Sequence, residues 1–145
     1  MYSHVLIPTD GSPLSTAAVE KGLCFARDVG AKATVITVIE PFHVFSGEAD
    51  QLENTRADYD RRVKRHAAHT LAEAQARAKA LRVPCEYLEL ESDRPYQSII
   101  DAATQRGCDL IAMASHGRRG VAALLLGSET LKVLTHSTVP VLIYR

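Results

Sequence analysis

Five short apolar runs alternate with four stretches of helical period, and this order constrains the fold more than any single motif. Val5–Ile7 gives way to Pro8-Thr9-Asp10-Gly11, after which Ser12 makes a good N-cap and Pro13 suits the first helical position. Leu14, Ala18, Gly22, Phe25, Ala26 and Val29 then recur as a core-facing stripe, and Gly30 stops the helix. Ala33–Ile39 is β-branched and lacks helical period, so it reads as a buried strand. Phe42–Glu48 is irregular, a surface loop with enough aromatic content to cover something. From Ala49 to Leu81 a long helix is expected, with Tyr59, Val63, Ala67, Thr70, Ala74, Ala78 and Leu81 on one face. Val83–Leu90 alternates in part, and its proline and charges suit an exposed sheet edge. Pro95 opens a further helix that buries Tyr96, Ile99, Ile100 and Ala103 and ends at Gly107. Leu110–Met113 is a short buried strand, Glu129–His136 a helix, and Val139–Tyr144 the last strand.

Strands that alternate strictly with helices imply a parallel sheet, right-handed crossovers and helices on both faces. The expected class is therefore α/β: a single doubly wound three-layer α/β/α domain spanning residues 1–145, with a five-stranded parallel sheet. A chain of 145 residues is long enough for one well-formed core. No apolar run approaches the roughly 20 residues that cross a membrane. Met1–Pro8 has neither a charged n-region nor a long h-region, so the expectation is no signal peptide, no membrane association and a cytoplasmic location. The 17 basic residues balance 17 acidic ones, which argues against a dedicated nucleic-acid binder. The cluster Arg61, Arg62, Lys64 and Arg65 has acidic neighbours and reads as a solvated helix face. Cys24, Cys85 and Cys108 lack metal-ligand spacing and are expected as buried free thiols. His66 and His69 share a helix face at i, i+3, but no third ligand accompanies them, and a surface pair is the better reading.

In a doubly wound sheet, ligands bind beyond the carboxyl ends of the strands where the strand order reverses. The loops that meet there follow the first and fourth strands: Pro8–Gly11, and the glycine-rich Ala114–Ser128. The second runs from a strand into a helix that starts at Gly127-Ser128, and a helix N-terminus offers unpaired N–H groups and a partial positive charge to a phosphate. It is not a P-loop, because leucines precede Gly127 and no lysine follows it. Nor is Thr9-Asp10-Gly11-Ser12 the glycine fingerprint of a dinucleotide site. The hydroxyls of Ser12, Ser115 and Ser128 have no evident histidine–carboxylate partnership, so no catalytic residues are assigned and an enzyme is not expected.

From end to end the chain resembles the universal stress protein family. The resemblance rests on Ile7-Pro8-Thr9-Asp10-Gly11-Ser12, Thr37-Val38-Ile39-Glu40, Met113-Ala-Ser-His-Gly-Arg-Arg-Gly120, Leu124-Leu-Leu-Gly-Ser128 and Val139-Pro-Val-Leu-Ile143. The nucleotide-binding branch of that family carries Gly-x2-Gly-x9-Gly-Ser/Thr, and here the pattern reads Ala114-x2-Gly117-x9-Gly127-Ser128, with alanine in place of the first glycine. The resemblance implies a Rossmann-like fold related to the adenine nucleotide alpha hydrolases, with strand order 3-2-1-4-5. It also implies a site for ATP (or ADP or AMP), with Mg2+ held through the phosphates rather than by protein side chains. Asp10 would meet the nucleoside, the Val38 backbone the adenine edge, and Pro8 and Thr9 the adjoining wall. Met113, Ala114, His116, Gly117, Gly127, Ser128 and the Glu129 amide would line or hold the phosphates, and Arg118 and Arg119 could reach their oxygens.

On the residues alone other readings stay open. Asp10 could cap the first helix with Ser12, Gly117 and Gly120 could be turn residues, and Arg118 and Arg119 solvated loop charges. For His116, packing or hydrogen bonding within the loop is favoured over a role as general base. The favoured function is a small stress-response protein that binds an adenine nucleotide and regulates as a homodimer, paired through the apolar strand Val139–Tyr144. The alternatives are a slow ATPase and a nucleotide-independent interaction dimer.

Overall fold

The computed structural model describes residues 1–42, 49–117 and 125–145, with the backbone alone for 49–54. The elements are β1 (His4–Pro8), α1 (Pro13–Val29), β2 (Lys32–Ile39), α2 (Ala49–Leu81), β3 (Cys85–Glu91), α3 (Pro95–Gln105), β4 (Leu110–Ala114), α4 (Ser128–His136) and β5 (Val141–Tyr144). The strands form one five-stranded sheet in the order β3-β2-β1-β4-β5, every pair parallel. This is the α/β order expected. The order reverses between β1 and β4, and the cleft beyond their carboxyl ends is where a doubly wound sheet accepts a ligand.

Both faces of the central strands are buried, which explains their unbroken apolar text. Val5 and Ile7 of β1 pack with Val19, Leu23 and Ala26 of α1 and Ala74 and Ala78 of α2. Leu6, pointing the other way, packs with Ile99, Ala102 and Ala103 of α3 and Val133 of α4. The α1 stripe is rotated slightly from the periodicity: Leu23 is fully buried, whereas Val29 is 42% exposed at the helix end. In α3 Ala102 is buried and Ile100 only half-buried. Cys108 is buried, while Cys24 and Cys85 are half-buried, so the expectation of three buried thiols holds for one.

The last strand begins at Val141 rather than Val139. Pro140 has no N–H for a ladder, although its carbonyl accepts from Ile111 N–H (2.9 Å). Ser137 and Val139 close a turn instead, with Val139 N–H donating to Ser137 Oγ (3.0 Å). At the same, amino-terminal end of the sheet the Asp109 carboxylate accepts from the N–H groups of Ser3 (2.9 Å) and His4 (3.0 Å). Burial raises the pKa of Asp109, but these donors outweigh it and hold the carboxyl below its ordinary value. Phe42 packs on Tyr59, with ring centroids 5.2 Å apart, and the rest of the Phe42–Glu48 stretch lies outside the described residues.

Candidate functional site

A cavity of about 420 Å3 opens beyond the carboxyl ends of β1, β2 and β4, within the roughly 300–1,000 Å3 range of small-ligand sites. Pro8, Thr9, Asp10, Val38, Met113, Ala114, His116, Gly117, Gly127, Ser128 and Glu129 all line it. Arg118 and Arg119 lie outside the described residues.

The β1–α1 loop is fixed by its own side chains. Asp10 N–H donates to Ser15 Oγ (3.1 Å), and Ser15 Oγ donates to Thr9 Oγ1 (2.7 Å), which also accepts from Gly11 N–H (3.2 Å). Ser12 N–H donates to Asp10 Oδ1 (3.0 Å), and Ser15 N–H to Ser12 Oγ (3.3 Å). Asp10 therefore does brace the start of α1, and its other oxygen reaches the β4 loop, where a Cβ on Gly117 would lie 2.5 Å from Oδ2. Gly11 has φ +78°, and a Cβ there would lie 2.6 Å from His66 Nε2 and from Thr70 Oγ1. Only glycine lets α2 come this close.

The first turn of α1 is thus already capped, and that of α4 is not. Gly127 is the N-cap of α4 and supplies no side-chain hydrogen bond. Its φ of −68° is ordinary, so glycine is needed for space: a Cβ would sit 3.3 Å from His116 Cα and 3.4 Å from Ser115 O. The Gly127 N–H is occupied by the Ser115 carbonyl (2.7 Å), which clamps the two ends of the β4–α4 loop together. The donors left for an anion are the first-turn N–H groups of Ser128, Glu129 and Thr130, beside the exposed Ser128 hydroxyl. The Glu129 carboxylate turns away from that turn to accept from Tyr96 N–H (3.0 Å), at the start of α3, and to meet Lys132 (3.3 Å).

Ala114 is the last residue of β4, paired with Tyr144, and among the described non-glycine residues Arg82 alone has positive φ. The alanine at this family-glycine position therefore costs no backbone strain. Its carbonyl accepts from Thr130 Oγ1 (2.9 Å), which ties the strand to the first turn of α4.

Val38 faces the cavity for a reason of parity. In a parallel ladder the N–H and C=O of one residue point to the same side, and neighbours alternate. The Ile36 carbonyl accepts from Thr9 N–H (2.8 Å) on the β1 side, and the Ile39 carbonyl from Ser92 N–H (2.9 Å) on the β3 side. Val38 thus points toward β1, which has ended by then at Pro8. Its N–H and C=O open into the cavity as an adjacent donor and acceptor.

His116 Nδ1 lies 3.1 Å from Ser115 Oγ, a bond within the loop. His66 turns to the Asp10 carbonyl (3.1 Å) and His69 to Glu73 (3.0 Å), so the two do not converge on a metal. Among the described residues no group of three or more His, Cys, Asp or Glu side chains is arranged to hold one. No helix among them is long and apolar enough to cross a membrane. Ser15, Tyr59, His66 and Thr130 belong to this site and were not among the residues expected there. Of these, Thr130 alone had a local signal, a hydroxyl in the first turn after the glycine cap.

The universal stress protein family matches the chain over residues 1–145. A universal stress protein of Thermus aquaticus is 33% identical over 145 residues, covering 100% of both chains. The universal stress protein UspA of Lactobacillus plantarum superposes with a TM-score of 0.80 at 22% identity, over 99% of this chain and 98% of that one. A universal stress protein solved in complex with cAMP superposes with a TM-score of 0.73 at 26% identity, over 99% and 97%. The chain belongs to the universal stress protein family.

Proposed function

We propose that this cavity binds ATP, with the adenine edge on Val38 and the phosphates on the first turn of α4, and that the protein is a regulatory binding protein of the cytoplasm rather than an enzyme. One observation carries the reading: a single cavity holds both an adjacent donor–acceptor pair and an uncapped helix N-terminus. Adenine presents an acceptor at N1 beside a donor at N6, the complement of Val38 N–H and C=O. β2 and β4 flank β1, so the two features lie roughly 10 Å apart, a nucleoside's reach from its phosphates. The cAMP complex of a 26% identical family member supports an adenine nucleotide. The acidic residues Asp10, Glu40 and Glu129 are among those lining the cavity, and the Asp10 carboxylate reaches the β4 loop, so a divalent cation carried by the phosphates would offset its repulsion. A hundredfold excess of Mg-ATP over Kd stabilises a folded protein by about 2.7 kcal/mol, which raises the Tm of a domain of this size by roughly 5–11 °C. An unchanged Tm at millimolar Mg-ATP, with no nucleotide released on denaturation, contradicts the reading.

A second reading concerns assembly, and we place a homodimer contact at β5. This strand pairs with β4 on one side and ends the sheet on the other, and all four of its residues are only half-buried. An edge of this kind pairs readily with a second copy. Sedimentation at micromolar concentration should give a dimer, and a monomer rejects the assignment.

A further inference from the structure

We propose that His66 and His116 put titratable positive charge beside the phosphates, so that nucleotide binding takes up protons and tightens in mild acid; the proposal rests on the nucleotide reading above. Among the described residues that line the cavity there is no Lys or Arg, and the two histidines are the side chains able to become cations. They reach one place from α2 and from the β4–α4 loop, with Asp10 between them. His66 Nε2 lies 3.1 Å from the Asp10 carbonyl. Asp10 Oδ2 reaches the residue after His116, where a Cβ on Gly117 would stand 2.5 Å from it. His116 in turn abuts the start of α4, where a Cβ on Gly127 would stand 3.3 Å from its Cα. A cavity of about 420 Å3 is roughly 9 Å across, so a phosphate in it stands within about one Debye length of both rings.

Both rings can change charge without losing these contacts. A carbonyl only accepts, so His66 Nε2 carries hydrogen in either state and the added proton goes to Nδ1. His116 Nδ1 lies 3.1 Å from Ser115 Oγ, a hydroxyl that donates to the neutral ring or accepts from the imidazolium. The acidic residues around them are Asp10, Glu40 and Glu129, of which Glu129 is committed to Tyr96 N–H and Lys132. On α2 Arg62 lies over the Tyr59 ring, His69 meets Glu73, and Arg65 is exposed. An anion bound here favours imidazolium over imidazole, and by reciprocity the proton favours the anion. The bound state then holds its protons more tightly than the free one. The gain in affinity is complete below the free-state pKa and is lost as pH rises through the bound-state pKa. For a histidine of ordinary pKa, about 6.5, a rise of one unit draws in roughly half a proton near pH 7 and makes binding roughly sixfold tighter at about pH 6 than at about pH 8.

The test is calorimetric titration of the intact chain with Mg-ATP at about pH 6, 7 and 8, in pairs of buffers that differ in ionisation heat, which gives the protons taken up per nucleotide. His66→Gln and His116→Asn each place an amide where the bonded ring nitrogen stands, so they keep the contact and remove the titration, and Tm at each pH confirms folding. Wild type should take up roughly half a proton near pH 7. The double variant should take up no more than Mg-ATP itself accounts for, and should lose most of the gain in affinity between about pH 8 and 6. Histidine ring resonances of the wild type give the same answer without a substitution: the pKa values of His66 and His116 should rise on saturation with Mg-ATP. If wild type binds Mg-ATP, and either its proton uptake equals that of the double variant or the two ring titrations do not move, the histidine proposal is overturned and the nucleotide reading survives. If wild type binds no Mg-ATP at any of these pH values, both fall together.

Discussion

Ala114→Gly restores the residue that the nucleotide-binding branch of the family carries at this position, and the structure predicts a loss of stability with no gain in binding. Ala114 is 6% exposed, ends β4 in register with Tyr144 and has no positive φ. Glycine in such a strand costs about 0.5–1 kcal/mol in backbone entropy. Removing the buried methyl costs about 0.8 kcal/mol more. The sum, about 1–2 kcal/mol, lowers Tm by roughly 3–7 °C in a domain of this length. Thermal melts give that shift, and calorimetric titration with Mg-ATP gives the affinity, expected within about twofold of wild type because the Ala114 side chain supplies no donor. A variant as stable as wild type, or one that binds ATP tenfold more tightly, would show that the position needs glycine and that Ala114 does not sit in ordinary strand backbone.

Gly11→Ala should cost more than Gly30→Ala, although both residues have positive φ. The left-handed conformation alone costs roughly 1–2 kcal/mol, and at Gly11 the new Cβ also displaces His66 and Thr70, whereas nothing lies within 4 Å at Gly30. Equal urea midpoints for the two variants would refute the close approach of α2. Thr130→Val strands the buried Ala114 carbonyl and should cost about 1–3 kcal/mol in urea unfolding, with Thr130→Ser retaining most of it; equal losses would remove the strand–helix tie. Stability should also fall in mild acid through His4. Burial, then the charge of Lys32, holds its imidazole below the ordinary 6.5, and its Nε2 lies 2.7 Å from Thr34 Oγ1. The folded state therefore binds a proton less readily than the unfolded one, so this contribution is complete above about pH 6.5 and is lost as pH falls toward the folded pKa. His4→Gln should flatten the dependence of the urea midpoint between about pH 7 and 5, and an unchanged slope rejects the assignment.

Element order and the two loops at the reversal point were legible in local text: Ser12-Pro13 starts α1, β-branched runs make β2, and Gly127 precedes α4, whereas the strand order came from the family resemblance. What escaped it depends on how distant segments meet. Nothing near Ser15 shows that its hydroxyl will bridge Thr9 and Asp10, and nothing near His66 shows that α2 will cross Gly11. Periodicity placed Val29 on the core stripe, but α1 outruns the sheet there and leaves it 42% exposed. Gly127 lines the cavity as expected of a residue near the phosphates, but its N–H is occupied by the Ser115 carbonyl, and the glycine matters for the space it leaves. Ala114 was the sharpest departure from the family pattern, and its ordinary strand backbone shows why alanine is tolerated.

The most direct test follows backbone amide resonances of the intact chain during titration with Mg-ATP. The account predicts the largest shifts at Val38, Ser128, Glu129 and Thr130, with Gly117 beside them. A second depression, of about 410 Å3, lies at the other end of the strands and presents Arg27, Lys32 and Arg82. Shifts confined to those residues, or none at millimolar Mg-ATP, would contradict a nucleotide site at the β1–β4 reversal.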